Sequence, residues 1–510
     1  MIGAALAGLL IASGALAGET ASDETTTNSK AASAAAPTAT VRRGVTDIKQ
    51  LDRMVREAFD QRDYAGAVEV LEEWRAERPK DPLAAYNLAC ARCMMGRADE
   101  AAELLLDAIS FGFTDFRWME RDENLAGIRE HAKYRLVLKG WRELLDARGE
   151  AEMSSMRHGF GTAYRYTRDE TLRLNFASSF DERTSEEARV ELVRVGAWAR
   201  ANVFGGDAAN GTDAADEARP DPWVSVALPT PADFADLVGP VQIGGYYEPD
   251  AKRLITRDLG PGLRHEFFHA LHWREMAKLG QHHPIWVMEG LASLVEDVDE
   301  SHAGEMRPVP SWRTNIVGRM ARAGRLTAWE RLFAMPRERY MEDRASGNYA
   351  QARAVFLFLY EKGKLGAWWR AYTAEFSKDE TGLGAIETAF GKGTIIVEEM
   401  FREWAKALPL TGDPGAPSDV SLGVELSGGA GDGPMVREVK HRYVDAAGMY
   451  LSPRDVIVGV EDRTVRTLDD LARIIGEYRV GDEVVLDIRR GKLRLRVRVE
   501  LREPDEKEIW

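Results

Sequence analysis

Residues 261–299, PGLRHEFFHALHWREMAKLGQHHPIWVMEGLASLVEDVD, are the stretch from which the chain is read. They contain His-Glu-x-x-His at His265, Glu266 and His269, and five of the nine histidines fall between positions 265 and 283. A metal site shows itself in a sequence by clustering of this kind. Gly260-Pro261-Gly262 opens a helix and Gly280 closes it. At about 3.6 residues per turn, His265 and His269 point the same way, one turn apart. Leu263, Phe267 and Leu271 form an i, i+4 row on the other side. The helix is therefore expected to bury one face and to offer two imidazoles from the opposite one.

Two neutral imidazole nitrogens suit Zn2+. Glu266, beside the first of them, can take a proton from a water held at the ion, which is the zincin arrangement. A catalytic zinc needs a third protein ligand and an open position. Glu275 stands where the last His of the longer metzincin pattern would be, but His272 replaces the Gly of that pattern, and the class is rejected. His282 and His283 lie in the turn before Pro284, and a straight helix carries His272 too far along its axis to share the ion. Glu289 is the preferred third ligand: it lies 20 residues after His269, in Trp286-Val-Met-Glu-Gly-Leu-Ala, where a helix returning after Pro284 can bring its carboxylate back.

HEFFH followed by PIWVMEGLA resembles the gluzincin metallopeptidases, whose second helix carries W-x-x-E-G-x-A, and in particular the peptidase-MA-like group of secreted bacterial proteins. The resemblance implies a thermolysin-like catalytic domain over residues 150–410. In it His265, His269 and Glu289 would bind zinc, and Glu266 would be the general base for peptide-bond hydrolysis. It further implies an edge strand lining the cleft near Gly244–Arg257, which would pair with an extended peptide. A Tyr on a later helix would donate to the oxyanion: Tyr349, after the turn Ser346-Gly347-Asn348, is the candidate and Tyr340 the second. Glu296 or Asp297 would orient a ligand His. Aminopeptidases of this clan carry G-x-M-E-N, of which Gly245-Tyr-Tyr-Glu248 is a loose echo, so an endopeptidase is expected. The rival reading is a non-catalytic peptide-binding scaffold around a structural zinc site.

At 510 residues several domains are expected, in a multidomain α+β arrangement. The net charge of −15 argues against a nucleic-acid or anionic-membrane partner. Residues 2–17, IGAALAGLLIASGALA, read as a signal peptide cleaved near Ala17, followed by a disordered linker over 18–44. Export to a periplasm or beyond is expected, with no spanning segment. Cys90 and Cys93 read as two small buried residues at a helix contact, ahead of a redox C-x-x-C.

Residues 45–148 carry a 34-residue period in which Ala67 and Leu71 recur as Ala101 and Leu105. The spacing resembles tetratricopeptide repeats, which bind peptides or partner proteins. After a linker at 411–418, residues 420–502 change to short strands with one helix at Leu468–Tyr478, and resemble a PDZ domain of the bacterial protease type, a β-barrel-like module. By that resemblance Leu422, Gly423 and Val424 form the loop whose amides grip a peptide carboxylate.

Overall fold

The computed structural model describes residues 48–205, 219–238, 244–299, 305–342, 344–411, 420–428, 431–440 and 450–503. The expected signal peptide, the 18–44 linker, nearly all of the 411–418 linker and Ala446–Gly448 lie outside these residues. The chain divides into two compact units that meet in sequence at Gly140 and Trp141.

In the first unit, helices Ile48–Asp60, Tyr64–Glu77, Pro82–Met94 and Ala98–Phe111 follow one another closely. Aspartates start two of them: Asp63 accepts from the Gly66 amide, and Asp81 from those of Leu83 and Ala84. Ala67, Leu71, Ala101 and Leu105, the residues that carry the period, are all fully buried. Cys90 and Cys93 are free and buried. The Cys90 thiol donates to Asp122 at 3.4 Å, beside the Tyr86 hydroxyl at 2.8 Å. Burial, reinforced by Asp122, pushes this thiol up, away from the thiolate that redox chemistry needs.

The second unit begins with helix Trp141–Phe160, and its N-terminal part is built on a five-stranded sheet. Strands β1 (Arg165–Asp169) and β2 (Leu174–Ser178) form a hairpin. β3 (Val224–Leu228) and β5 (Arg253–Thr256) extend the sheet in parallel, and β4 (Gly245–Glu248) closes it as an antiparallel edge. β2 and β3 are buried at every residue, as strands covered on both faces are. Helix Trp141–Phe160 packs with this sheet: the Asn175 amide donates to Gly149 O at 2.7 Å, and the Trp141 indole to Pro220 O at 3.0 Å.

Helix Pro261–Leu279 follows β5, with Pro261 at its first position and Gly280 left-handed at its end. It is not amphipathic as expected. Thirteen of its 19 residues are buried, every one from Leu263 to Ala270 among them, while Leu271 of the anticipated apolar row is half-buried. β4, β5 and helices Glu182–Ala199 and Ile285–Leu294 pack around it, and Leu271, Glu275, Lys278 and Leu279 leave a part-exposed row on its C-terminal half. Helix Ile285–Leu294 packs on helix Ala345–Glu361. Gly290 makes that approach work, since a Cβ there would stand 2.7 Å from the Phe356 ring. Trp286 stacks between Phe333 and Phe356, with ring centroids 3.7 and 5.0 Å away. The Tyr349 helix begins at Ala345, earlier than expected, and Ser346-Gly347-Asn348 form its first turn. Asn348 is buried there and donates to Tyr340 O at 3.0 Å, which favours helix over open turn.

The C-terminal part of this unit has strands β8 (Val424–Ser427), β9 (Met435–Val439), β10 (Val456–Val460), β11 (Arg463–Thr464), β12 (Glu483–Arg490) and β13 (Leu493–Glu500) in the order β13-β12-β10-β9-β8, with β11 on β10. A short two-stranded ribbon of β6 (Val298–Asp299) and β7 (Arg307–Pro308) follows helix Ile285–Leu294. Helix Leu468–Ile475 starts on a Thr467–Asp470 capping box and closes a core that includes Leu422, Ile457, Leu471 and Leu486. Two buried carboxylates clamp strand β12, Asp432 on Arg489 and Asp455 on Arg490, each by a forked pair of bonds of 2.6–2.8 Å. No helix among the described residues is long and apolar enough to cross a membrane.

Candidate metal centre

His265 and His269 sit one turn apart on helix Pro261–Leu279, and their Nε2 atoms lie 3.0 Å from each other. Glu289 comes from helix Ile285–Leu294, and its Oε2 is 3.5 Å from His265 Nε2 and 3.7 Å from His269 Nε2. Ligand atoms about 2.0–2.1 Å from a tetrahedral ion stand roughly 3.4 Å apart, so this triangle has the dimensions of one face of such a site. Among the described residues it is the group of His, Cys, Asp and Glu close enough to share an ion. Glu289 is fully buried, and among the described residues neither of its oxygens has a hydrogen-bond partner. A buried carboxylate without donors is costly unless a cation meets it. Two imidazoles and one carboxylate are a donor set that Zn2+ accepts, so the residues fit the group.

Electrostatics point the same way. Burial disfavours a charged imidazole and pushes His269 down to about 4. It works against His265 too, but Glu289 and Glu296 outweigh it and raise that ring to about 10.

Glu266 is buried, and the backbone N–H of Tyr247 on the edge strand β4 donates to its carboxylate. Its Oε2 has no hydrogen-bond partner among the described residues. Burial pushes its carboxyl up to about 7. That leaves a group able to take and return a proton near neutrality.

Behind the His265 ring, Glu296 and Asp297 take different partners. Glu296 Oε1 is 2.8 Å from His265 Nδ1, close enough for an ion pair though not aligned as a hydrogen bond. The same carboxylate takes a forked pair of bonds from Arg313 at 2.8 and 3.0 Å. Burial would raise it, but Arg313 and His265 hold it well below the usual carboxylate range. Asp297 instead faces Arg353 at 3.4 Å. Arg353 is fully buried and also donates to Ser293 O and Val309 O, at 2.8 and 2.7 Å. Arg264, next to His265, donates to Val295 O at 2.7 Å and pairs with Glu191. These arginines fasten the Glu289 helix to its neighbours. Their partners are distant in sequence, and the one legible signal was Arg353 within the apolar run of its helix.

Tyr349 and Tyr340 are both brought to the centre, their rings 5.2 Å apart. Burial raises both hydroxyls, and the Glu289 charge adds to it. The Tyr349 hydroxyl lies 3.1 Å from Met341 Sδ, whereas that of Tyr340 is buried without a partner. His272 and His283 stay apart from the triad. His272 Nε2 lies 2.8 Å from His283 Nδ1, and His283 Nε2 is 3.0 Å from Gln281 Oε1, amid Trp369, Tyr372 and Phe376. In the C-terminal module Leu422 and Val424 are buried, and the Gly423 N–H donates to Ser421 Oγ at 2.9 Å.

The tetratricopeptide repeat family matches residues 58–118, and the PDZ domain family matches residues 420–501. Both are protein-interaction modules. No curated protein matches the chain. Among solved structures, the chain is similar to a crystal structure of an aminopeptidase N family protein from Idiomarina loihiensis, at 14% identity over 67% of each chain with a TM-score of 0.26, too slight a likeness to bear on the reading of the site.

Proposed function

We propose that this chain is a zinc-dependent metallopeptidase of the gluzincin type, an endopeptidase exported from the cytoplasm, whose repeat and PDZ modules recognise protein partners or substrate. The observation that carries the reading is the buried triangle of His265, His269 and Glu289, with ligand atoms all within 4.8 Å of one another, and Glu266 beside it.

His265, His269 and Glu289 hold the ion. When bound, zinc supplies Lewis acidity, acidifying water and polarising a carbonyl oxygen. Glu266 accepts a proton at its unpartnered Oε2 and returns it to the leaving amine nitrogen. The Tyr247 N–H keeps the other end of that carboxylate in place. Glu296, itself held by Arg313, fixes the His265 ring. Tyr349 donates its hydroxyl to the developing oxyanion, with Tyr340 as the alternative donor. The outer edge of β4 pairs with an extended peptide through main-chain hydrogen bonds and so tolerates many side chains.

The test is Glu266→Gln, assayed for bound metal and for hydrolysis of a mixed peptide library with and without chelator. Full zinc with hydrolysis at least about a thousandfold below the parent is expected. Hydrolysis at the parent rate would overturn the mechanism. A parent protein that cuts nothing would leave the scaffold reading.

A further inference from the structure

We infer that Arg337 is a specificity residue of this site, reading a substrate carboxylate near the scissile bond. The inference rests on the peptidase reading for the nature of the substrate, but its geometry is independent of turnover.

Arg337 opens the short helix Arg337–Glu342. Positions i, i+3 and i+4 share a face, so Arg337 lies on the side of Tyr340 and Met341. That side is turned to the metal centre: the Tyr340 ring packs on Tyr349, and Met341 Sδ lies against the Tyr349 hydroxyl. The short helix also contacts the Glu289 helix. Consistently, the Arg337 charge is felt by Glu289, His269 and Tyr349.

The other arginines around the centre are matched. Arg264 has Glu191, Arg313 has Glu296, and Arg353 has Asp297 with two carbonyls. Among the described residues Arg337 pairs with no carboxylate, and its Nη2 is buried with no hydrogen-bond partner. The residue as a whole is half-buried. A dication in the triangle would be balanced by Glu289 and Glu266, leaving the Arg337 charge in surplus. A neutral carbonyl could accept one N–H but would not offset that charge. A carboxylate does both, and its two oxygens match the guanidinium fork. Its source is either the free C-terminus of a short substrate or an Asp or Glu side chain.

The experiment uses the full-length Glu266→Gln protein loaded with zinc, so that peptides bind without being cut. Fluorescence anisotropy measures binding of one labelled hexapeptide as free acid and as amide, and of its Asp and Asn versions at each position. The Arg337→Met and Arg337→Lys proteins are compared in the same background, with zinc content confirming the site. A carboxylate-bearing peptide is expected to bind about tenfold more tightly than its neutral twin, a difference of about 1.4 kcal/mol. Arg337→Met should abolish the preference and Arg337→Lys should keep part of it. The acid–amide pair and the Asp–Asn pairs tell the two sources apart. No preference, no binding, or the same preference in Arg337→Met overturns the proposal. If Arg337→Met does not fold, an undiminished preference in Arg337→Lys, which loses the fork, overturns it equally. A parent without hydrolysis but with an Arg337-dependent preference would sink the peptidase reading alone.

Discussion

Glu296 touches the His265 ring with one oxygen, 2.8 Å from Nδ1, and receives the Arg313 guanidinium on both. A carboxylate behind a ligand imidazole sets its tautomer and raises its basicity. Glu296→Gln should therefore weaken zinc binding about 10–100-fold while leaving the fold intact. Competition with a chromophoric chelator reads this directly. Affinity equal to the parent would mean that His265 is held by packing alone.

Gly290 lies in the Glu289 helix where a Cβ would meet the Phe356 ring at 2.7 Å and the Ala352 backbone at 3.1 Å. Backbone cannot step aside as a flexible side chain can. Gly290→Ala is expected to push two buried helices apart and to cost about 1–3 kcal/mol. Because Glu289 is the neighbouring residue, zinc affinity should fall as well. Chemical denaturation of the metal-free and zinc-loaded proteins measures both, and a stable variant with parent affinity contradicts the packing argument.

The triad was legible because it depends on local geometry. The i, i+4 spacing of His265 and His269, and Pro and Gly at the ends of their helix, are read along the chain. Glu289 needed the W-x-x-E-G-x-A likeness, since spacing alone left His282 and His283 open. The period placing Ala67 with Ala101 was legible for the same local reason. What stayed hidden depends on tertiary packing. A helix buried all round from Leu263 to Ala270, with its part-exposed row confined to Leu271, Glu275, Lys278 and Leu279, has a burial that could not be read from Leu263, Phe267 and Leu271. Whether Glu296 or Asp297 stands behind His265 is decided by where Arg313 and Arg353 arrive from other helices. Arg337 was overlooked because its interest lies in lacking a partner, which no motif records.

His272 and His283 give a pH dependence of known sign. Burial pushes His283 down to about 3 and His272 well below its ordinary value. Both rings are therefore neutral in the folded protein at mildly acid pH, while in the unfolded chain they take up protons below about 6.5. Their contribution is present above that value and is lost as the pH falls through it. Each ring adds a slope of about 1.4 kcal/mol per pH unit. His283→Gln should make the loss of stability between pH 6 and 4.5 shallower by about that slope, measured by urea unfolding. Parallel curves for parent and variant would show that these rings do not titrate on unfolding.

Arg466 links the C-terminal module to the turn before helix Pro261–Leu279. It donates to Glu187 at 2.9 Å and to Asp432 O at 3.2 Å, and a Cβ on Gly260 would stand 2.7 Å from its own Cβ. Close by, the Leu259 N–H donates to Gly431 O at 2.7 Å. Gly260 has a φ of 79°, a conformation that glycine adopts at little cost. Glu187 is partly exposed and keeps Arg183 at 2.9 Å, so losing Arg466 should cost only about 1–2 kcal/mol, less than a fully buried pair. The effect should be local. In Arg466→Ala the Leu259 amide is expected to exchange with solvent at least about tenfold faster, while Leu486 in the module's core keeps its protection. Exchange at Leu259 unchanged from the parent would place the hold elsewhere, on the Arg494 bond to Thr184 at 2.7 Å. The double variant Arg466→Ala with Arg494→Ala should then release the amide.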